Sequence, residues 1–179
     1  MSALDTFIDE HKLTRKDGLS IVTTEDLDNI KAKGFTVEAL LYYLCTKHGS
    51  LLHGSGRDIT DTYLAKQRRE IMCTDYAPVA LLKAITCTDG LANLGYPGNT
   101  KEPFIVTAVP RILTNTIKES GFVYVVNNTE DFRRGTYDWE YITDKVQVPI
   151  SAKLSILRAD FKYPIRSEEP RAPPPTFYW

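Results

Sequence analysis

Short apolar runs alternate along the chain with polar breaks that carry glycine or proline. The first 20 residues are polar and weakly patterned, which predicts a short helix or an arm. Thr24 precedes an acidic first turn, Glu25-Asp26, and Gly34 follows the last periodic residue, so a capped helix is predicted between them. A second helix is predicted from about Thr36 to Lys47. Leu40, Leu41, Tyr43 and Leu44 make it apolar on most sides, as a buried helix requires. Gly49 closes it.

After residue 50 the pattern changes to strands. Leu51-Leu52-His53 reads as a short buried strand that ends beside the small residues Gly54, Ser55 and Gly56. The segment Asp58 to Arg69 is polar and ends in the cationic run Lys66-Gln67-Arg68-Arg69, a solvated face or a source of cations for a phosphate. Glu70 to Thr74 is a compact apolar strand. Asp75 is placed as the cap of a helix from Ala77 to Ile85, with Pro78 in its first turn. Residues 88 to 103 read as a long loop. Phe104 to Val109 is a strand candidate. Pro110 to Lys118 reads as a helix with Gly121 just past its end. Phe122 to Val126 is the strongest strand by β-branched and aromatic content. Asn127-Asn128 turns it, and Asp138–Thr143, Val146–Ile150 and Leu154–Leu157 are further candidates. From Pro164 the chain turns proline-rich, which predicts an extended tail outside the sheet that is dispensable for folding.

This pattern predicts an α+β fold: a split, mostly antiparallel β-sheet with flanking short helices and an N-terminal helical lead-in. Residues 1–48 form the helical segment, 49–163 the main domain and 164–179 the tail. Hydrophobic residues are 42% of the chain and charged residues 25%, compatible with a packed core. With 22 basic and 23 acidic residues the formal net charge is −1, so there is no bulk electrostatic footprint for nucleic acid. Cys45, Cys73 and Cys87 lack metal-ligand or redox spacing, and their apolar neighbours predict reduced, buried thiols in a cytoplasmic protein. The N-terminus has no apolar run of signal-peptide length, and no stretch approaches the ~20 apolar residues of a membrane span, so no membrane partner is expected.

The chemistry centres on His53. Glycine lets a ligand approach the main chain closely, and a histidine there can exchange hydrogen bonds with it. The same residues also read as a strand and turn in which His53 is a satisfied structural group.

Three stretches in order, Leu51-Leu52-His53-Gly54-Ser55, then Ile71-Met72-Cys73-Thr74-Asp75 with its helix, then Gly121-Phe122-Val123-Tyr124-Val125 leading to Trp139-Glu140-Tyr141-Ile142 and Val146-Gln147-Val148, resemble the ADP-ribosyltransferase superfamily on its diphtheria-toxin and poly(ADP-ribose) polymerase side. The resemblance covers roughly residues 50 to 160. It implies an enzyme that cleaves the nicotinamide–ribose bond of NAD as co-substrate and passes ADP-ribose to a macromolecular acceptor, protein or nucleic acid. It implies a role for His53 at an adenosine-ribose hydroxyl, for Gly54 at the nicotinamide carboxamide and for Ser55 at the nicotinamide ribose. Glu140 is implied as the catalytic carboxylate, with Glu130 its nearest rival. The family's tyrosine falls at Met72, which can pack on a nicotinamide ring but offers no phenol; Tyr76 is the nearest replacement aromatic. A toxin or effector of this kind leaves room for an antitoxin or other protein partner. Two alternatives stand beside it: a catalytically degenerate binding module, and an NAD-dependent RNA 2′-phosphotransferase. The second expects a His/Arg constellation on the phosphate that this near-neutral chain does not clearly show.

Overall fold

The computed structural model describes residues 2–66, 70–86, 106–108 and 117–167. Cys87, the run 67–69, the loop at 88–103, most of the helix placed at Pro110–Lys118 and residues 168–179 lie outside them. The strand placed at Phe104–Val109 is described only at β5, Val106–Ala108.

The N-terminal segment holds α1 (Ala3–Glu10), β1 (Ser20–Val22), α2 (Thr24–Ala32) and α3 (Val37–His48). The cap of α2 is Thr23, one residue before the position expected, and its capping box with Asp26 satisfies two backbone donors. Thr36 caps α3 and Gly49 closes it in the left-handed conformation at φ 68°. β1 was not expected. A three-residue strand shows too little periodicity to be read, and it is found by its parallel pairing with β10 (Ala152–Leu157).

The strands that follow are β2 (Leu51–Ser55), β3 (Tyr63–Ala65), β4 (Ile71–Thr74), β6 (Ser120–Val126), β7 (Arg133–Arg134), β8 (Glu140–Thr143), β9 (Gln147–Pro149) and β11 (Ile165–Ser167), with α4 (Ala77–Ala84) after β4. Seven strands make one mixed, mostly antiparallel sheet in the order β1-β10-β6-β2-β4-β8-β7. The stretches at 51–53, 71–74, 122–126 and 140–143 are therefore consecutive neighbours in one α+β sheet. β3 pairs with β9, and β5 with β11. Gly121 lies inside β6, and Ile165–Ser167 is extended and outside the seven-stranded sheet, pairing with β5 and packing Ile165 against the main core.

One apolar layer lies between the sheet and the helices. It takes Leu4, Phe7 and Ile8 from α1, Leu40, Leu41 and Leu44 from α3, most of α4, and Leu52, Val123 and Val125 from the sheet. A smaller cluster on the other face joins Leu51, Cys73, Tyr124, Val126 and Val148. The N-terminal helices thus share the core of the strands they precede. α4 sits unusually close to the sheet. A Cβ on Gly54 would fall within 3.0 Å of the Ala80 carbonyl group and the Ala84 nitrogen, and one on Gly121 within 3.0 Å of the Ala84 carbonyl group. These glycines are required by helix packing.

Candidate active site

β2 and β4 are joined by a single registered pair, Leu52 with Thr74. The Asp75 N–H donates to the Trp139 carbonyl at 3.4 Å, toward β8. Backbone direction alternates along a strand, so Thr74 and Met72 turn their polar groups toward β2. The next pair in this ladder would be Gly54 with Met72, and it is not in register. The His53 ring reaches into the opening, its Nδ1 lying 2.8 Å from the Met72 carbonyl oxygen. A carbonyl only accepts, so Nδ1 carries the proton and Nε2 of the neutral ring is left as an acceptor. Burial pushes the His53 pKa below its ordinary value, the Met72 bond partly opposes this, and the Lys83 cation adds to the fall. The Tyr124 ring lies 6.3 Å from it, and the Tyr124 hydroxyl accepts from Ile59 N–H at 2.6 Å. The structural reading of His53 thus has a concrete partner, and one ring nitrogen remains for a ligand.

The other expected site residues separate. Gly54 closes on α4 with its Cα and can meet a ligand only along its strand edge or from the opposite face. Ser55 Oγ donates to the Arg57 carbonyl at 2.8 Å and accepts from Arg57 N–H at 3.1 Å, so it ties off the turn after β2. Met72 is 40% exposed and sits opposite Ile142. Tyr76 is buried in the main core at the start of α4, its N–H donating to Thr74 Oγ1 at 3.0 Å. It is also the N-cap residue of α4, which has no side-chain cap. The expected cap, Asp75, turns away: its carboxylate accepts from the Tyr141 hydroxyl at 3.2 Å and pairs with Arg134 at 3.7 Å.

Glu140 opens β8 opposite Thr74 and is 6% exposed. Its Oε2 accepts from Thr136 N–H at 2.7 Å. Gly135 lies against the carboxylate, where any Cβ would collide with it. The loop beneath is closed at both ends, by Gly135 N–H to the Glu140 carbonyl and by Glu140 N–H to the Tyr137 carbonyl, each 2.9 Å. Its rival Glu130 is exposed and paired with Lys16, whose ammonium holds the carboxyl below its usual range. Facing residues of paired strands point the same way. Leu52, Thr74 and Glu140 therefore share the helix side of the sheet, and His53, Cys73 and Tyr141 the other.

Lys83 is the residue the sequence did not bring forward. Seven of the eight residues of α4 are buried, and Lys83 is half-buried. Loss of solvent lowers its pKa, and the neighbouring Glu140 carboxylate opposes the fall. A lone cation in the apolar run Ala77 to Ile85 was the available signal. It stands on the Glu140 side of the sheet and is close enough to bias His53 as well.

A polar cleft of about 380 Å³ adjoins Glu140, lined by Arg134, Gly135, Thr136, Tyr137 and Asp138. A second cavity, about 270 Å³, lies where β2 begins and includes Ser50, Asp75 and Tyr141 in its lining. Among the described residues no group of three or more His, Cys, Asp and Glu side chains is placed to hold a metal ion, and no helix is long and apolar enough to cross a membrane. No family model, curated protein or solved structure matches the chain.

Proposed function

We propose that this protein is an NAD-dependent ADP-ribosyltransferase of toxin or effector kind, acting on a protein or nucleic-acid acceptor. The observation that carries the reading is the opening between β2 and β4. The strands bearing His53, Met72 and Glu140 are adjacent in the order β2-β4-β8, and β2 separates from β4 just beyond Leu52. A dinucleotide lying across that opening reaches His53 from one face of the sheet and Met72 and Glu140 from the other. His53 Nε2 accepts from an adenosine-ribose hydroxyl. The Gly54 edge, left outside the ladder, pairs with the nicotinamide carboxamide, and Met72 packs on the ring. Ser55, with its hydroxyl committed to Arg57, contributes backbone and shape.

In the reaction the C–N bond between nicotinamide and ribose breaks and nicotinamide departs with the electron pair. The acceptor nucleophile attacks the same ribose carbon and loses its proton. Positive charge builds on the ribose in between, and a fixed carboxylate is worth most at that point. Glu140 is fixed by Thr136 N–H, and turnover requires its other oxygen to meet the ribose 2′-hydroxyl. Lys83 sets the local charge beneath it.

Calorimetric titration with NAD tests the binding half. Wild type should bind, and His53→Ala should bind at least about tenfold more weakly, the loss of one hydrogen bond of about 1.4 kcal/mol. Equal affinities would remove His53 from the site. The degenerate-module reading draws on two observations, Met72 where a phenol is expected and a Glu140 that is 6% exposed. It predicts NAD binding without turnover.

A further inference from the structure

Across β2, β6 and β10 the facing residues His53, Tyr124 and Lys153 form one row, and facing residues of paired strands point to the same side of the sheet. Tyr124 is the middle of that row and is 0% exposed. A phenylalanine would fill nearly the same space without burying a hydroxyl, which costs free energy unless it is bonded. Here it is bonded, and to one short segment. The hydroxyl accepts from Ile59 N–H at 2.6 Å, and its own proton faces the Arg57 carbonyl at 3.4 Å and an Asp58 carboxylate oxygen at 3.5 Å. Burial pushes the Tyr124 pKa up to about 12, so the phenol stays neutral and keeps both roles.

Other side chains hold the same segment. Lys153 pairs with Asp58, and its ammonium lies 4.6 Å from the Phe122 ring centre. Lys118 Nζ donates to the Gly56 carbonyl at 2.6 Å. Residues 56–59 lie in no strand, so these bonds stand in for a ladder. The segment leaves the end of β2 and meets the row at Tyr124 and Lys153. The row's remaining member is His53, whose ring centre is 6.3 Å from that of Tyr124.

We propose that Tyr124 is a positioning residue for the adenosine half of NAD: it holds residues 56–59 as a fixed wall beside His53, so that the ribose hydroxyl meets Nε2 in one orientation. Tyr124 itself touches neither NAD nor the reacting atoms. A wall ordered before binding spares the ligand the entropy of fixing it. The effect falls on affinity, because Glu140 lies on the other side of the sheet. The role rests on the transferase reading for its ligand, whereas the restraint on the segment does not.

Two readouts test it. Hydrogen exchange of the Ile59 amide, followed by NMR without NAD, reads the restraint. Calorimetric titration with NAD and initial rates of nicotinamide release read its consequence. Tyr124→Phe keeps the ring and removes the hydroxyl. The Ile59 amide should be protected in wild type and exchange faster in Tyr124→Phe. Affinity for NAD should fall about 3- to 10-fold, the range for one neutral hydrogen bond, with the rate at saturating NAD unchanged. Lys153→Gln loosens the same segment from β10 and should weaken NAD binding in the same sense, which keeps the proposal testable if Tyr124→Phe fails to fold. A structural role alone would lower the melting temperature and leave NAD affinity unchanged, and that result overturns the proposal. So does a folded Tyr124→Phe in which Ile59 stays protected, or a loss of saturated rate at unchanged affinity. NAD bound and turned over equally by wild type and both loosened variants removes the positioning role and leaves the transferase standing. A wild type that protects Ile59 and binds no NAD removes the transferase reading and this role with it.

Discussion

The His53 ring nitrogen Nδ1 and the Met72 carbonyl oxygen are 2.8 Å apart, across the opening between two strands that share one registered pair. The side chain of one strand thus satisfies the backbone of the next at the point where the ladder ends. The same bond sets the tautomer of His53 and leaves Nε2 as an acceptor. A structural role and a binding role therefore fall on the two nitrogens of one ring.

This arrangement makes stability depend on pH. The folded-state pKa of His53 lies below the ordinary 6.5, chiefly through burial. In the window between the two values the unfolded chain binds more protons than the folded one, so stability rises with pH. The contribution is complete above pH 6.5 and is lost as pH falls toward the lower folded value. Melting temperature between about pH 7.5 and about pH 5 should fall more steeply in wild type than in His53→Gln, whose amide can donate to Met72 without titrating. Parallel curves would contradict the assignment.

Close approach of α4 to the sheet predicts an ordering among glycine substitutions. Gly54→Ala and Gly121→Ala each drive a methyl into α4 backbone and should cost about 3 kcal/mol or more. For a chain of this size that lowers the melting temperature by about 6–12 °C. Gly18→Ala meets nothing within 4 Å and suffers only from its φ of +81°, at about 1–2 kcal/mol. A Gly54→Ala variant as stable as Gly18→Ala would mean that α4 is not seated on β2 in solution.

The Cys73 thiol, 4% exposed beneath the sheet, is pushed up to about 12 by burial. The thiolate is the nucleophile, so iodoacetamide at about pH 8 should leave Cys73 unmodified in the native protein and label it fully in denaturant. Peptide mapping by mass spectrometry reads the difference. Native labelling at the rate of a free thiol would place Cys73 outside the core.

Much of the fold is legible in the chain, and the exceptions share physical causes. Leu51-Leu52 and Phe122 to Val126 are read as strands because burial on both faces requires continuous apolar runs, and Ile71 to Cys73 reads the same way although Met72 is 40% exposed. β1 and β3 escape because three residues carry no period; each exists through its partner, β10 or β9. Asp75 has the right chemistry for a cap, yet tertiary partners, Tyr141 and Arg134, claim it. Gly54 is noticed for its missing Cβ, and what that space admits on the helix side, α4, comes from tertiary packing that no local pattern encodes. In the candidate site, His53 and Glu140 are visible as residue types, but their placement on opposite faces follows from register, which no local pattern encodes. Lys83 hides because a single charge in an apolar helix looks like its solvent side.

Transfer of label from NAD is the decisive measurement for a catalytic Glu140. Wild type, Glu140→Gln and Glu130→Gln are incubated with NAD labelled in its adenylate moiety and with nucleic-acid and protein acceptors, and covalently bound label is counted. Wild type and Glu130→Gln should label an acceptor at similar rates. Glu140→Gln should bind NAD with unchanged affinity and transfer about 10²–10³-fold more slowly, the scale of losing one group that stabilises the transition state. No transfer by wild type to any acceptor, with NAD bound or not, would contradict the transferase assignment, and so would equal transfer by wild type and Glu140→Gln.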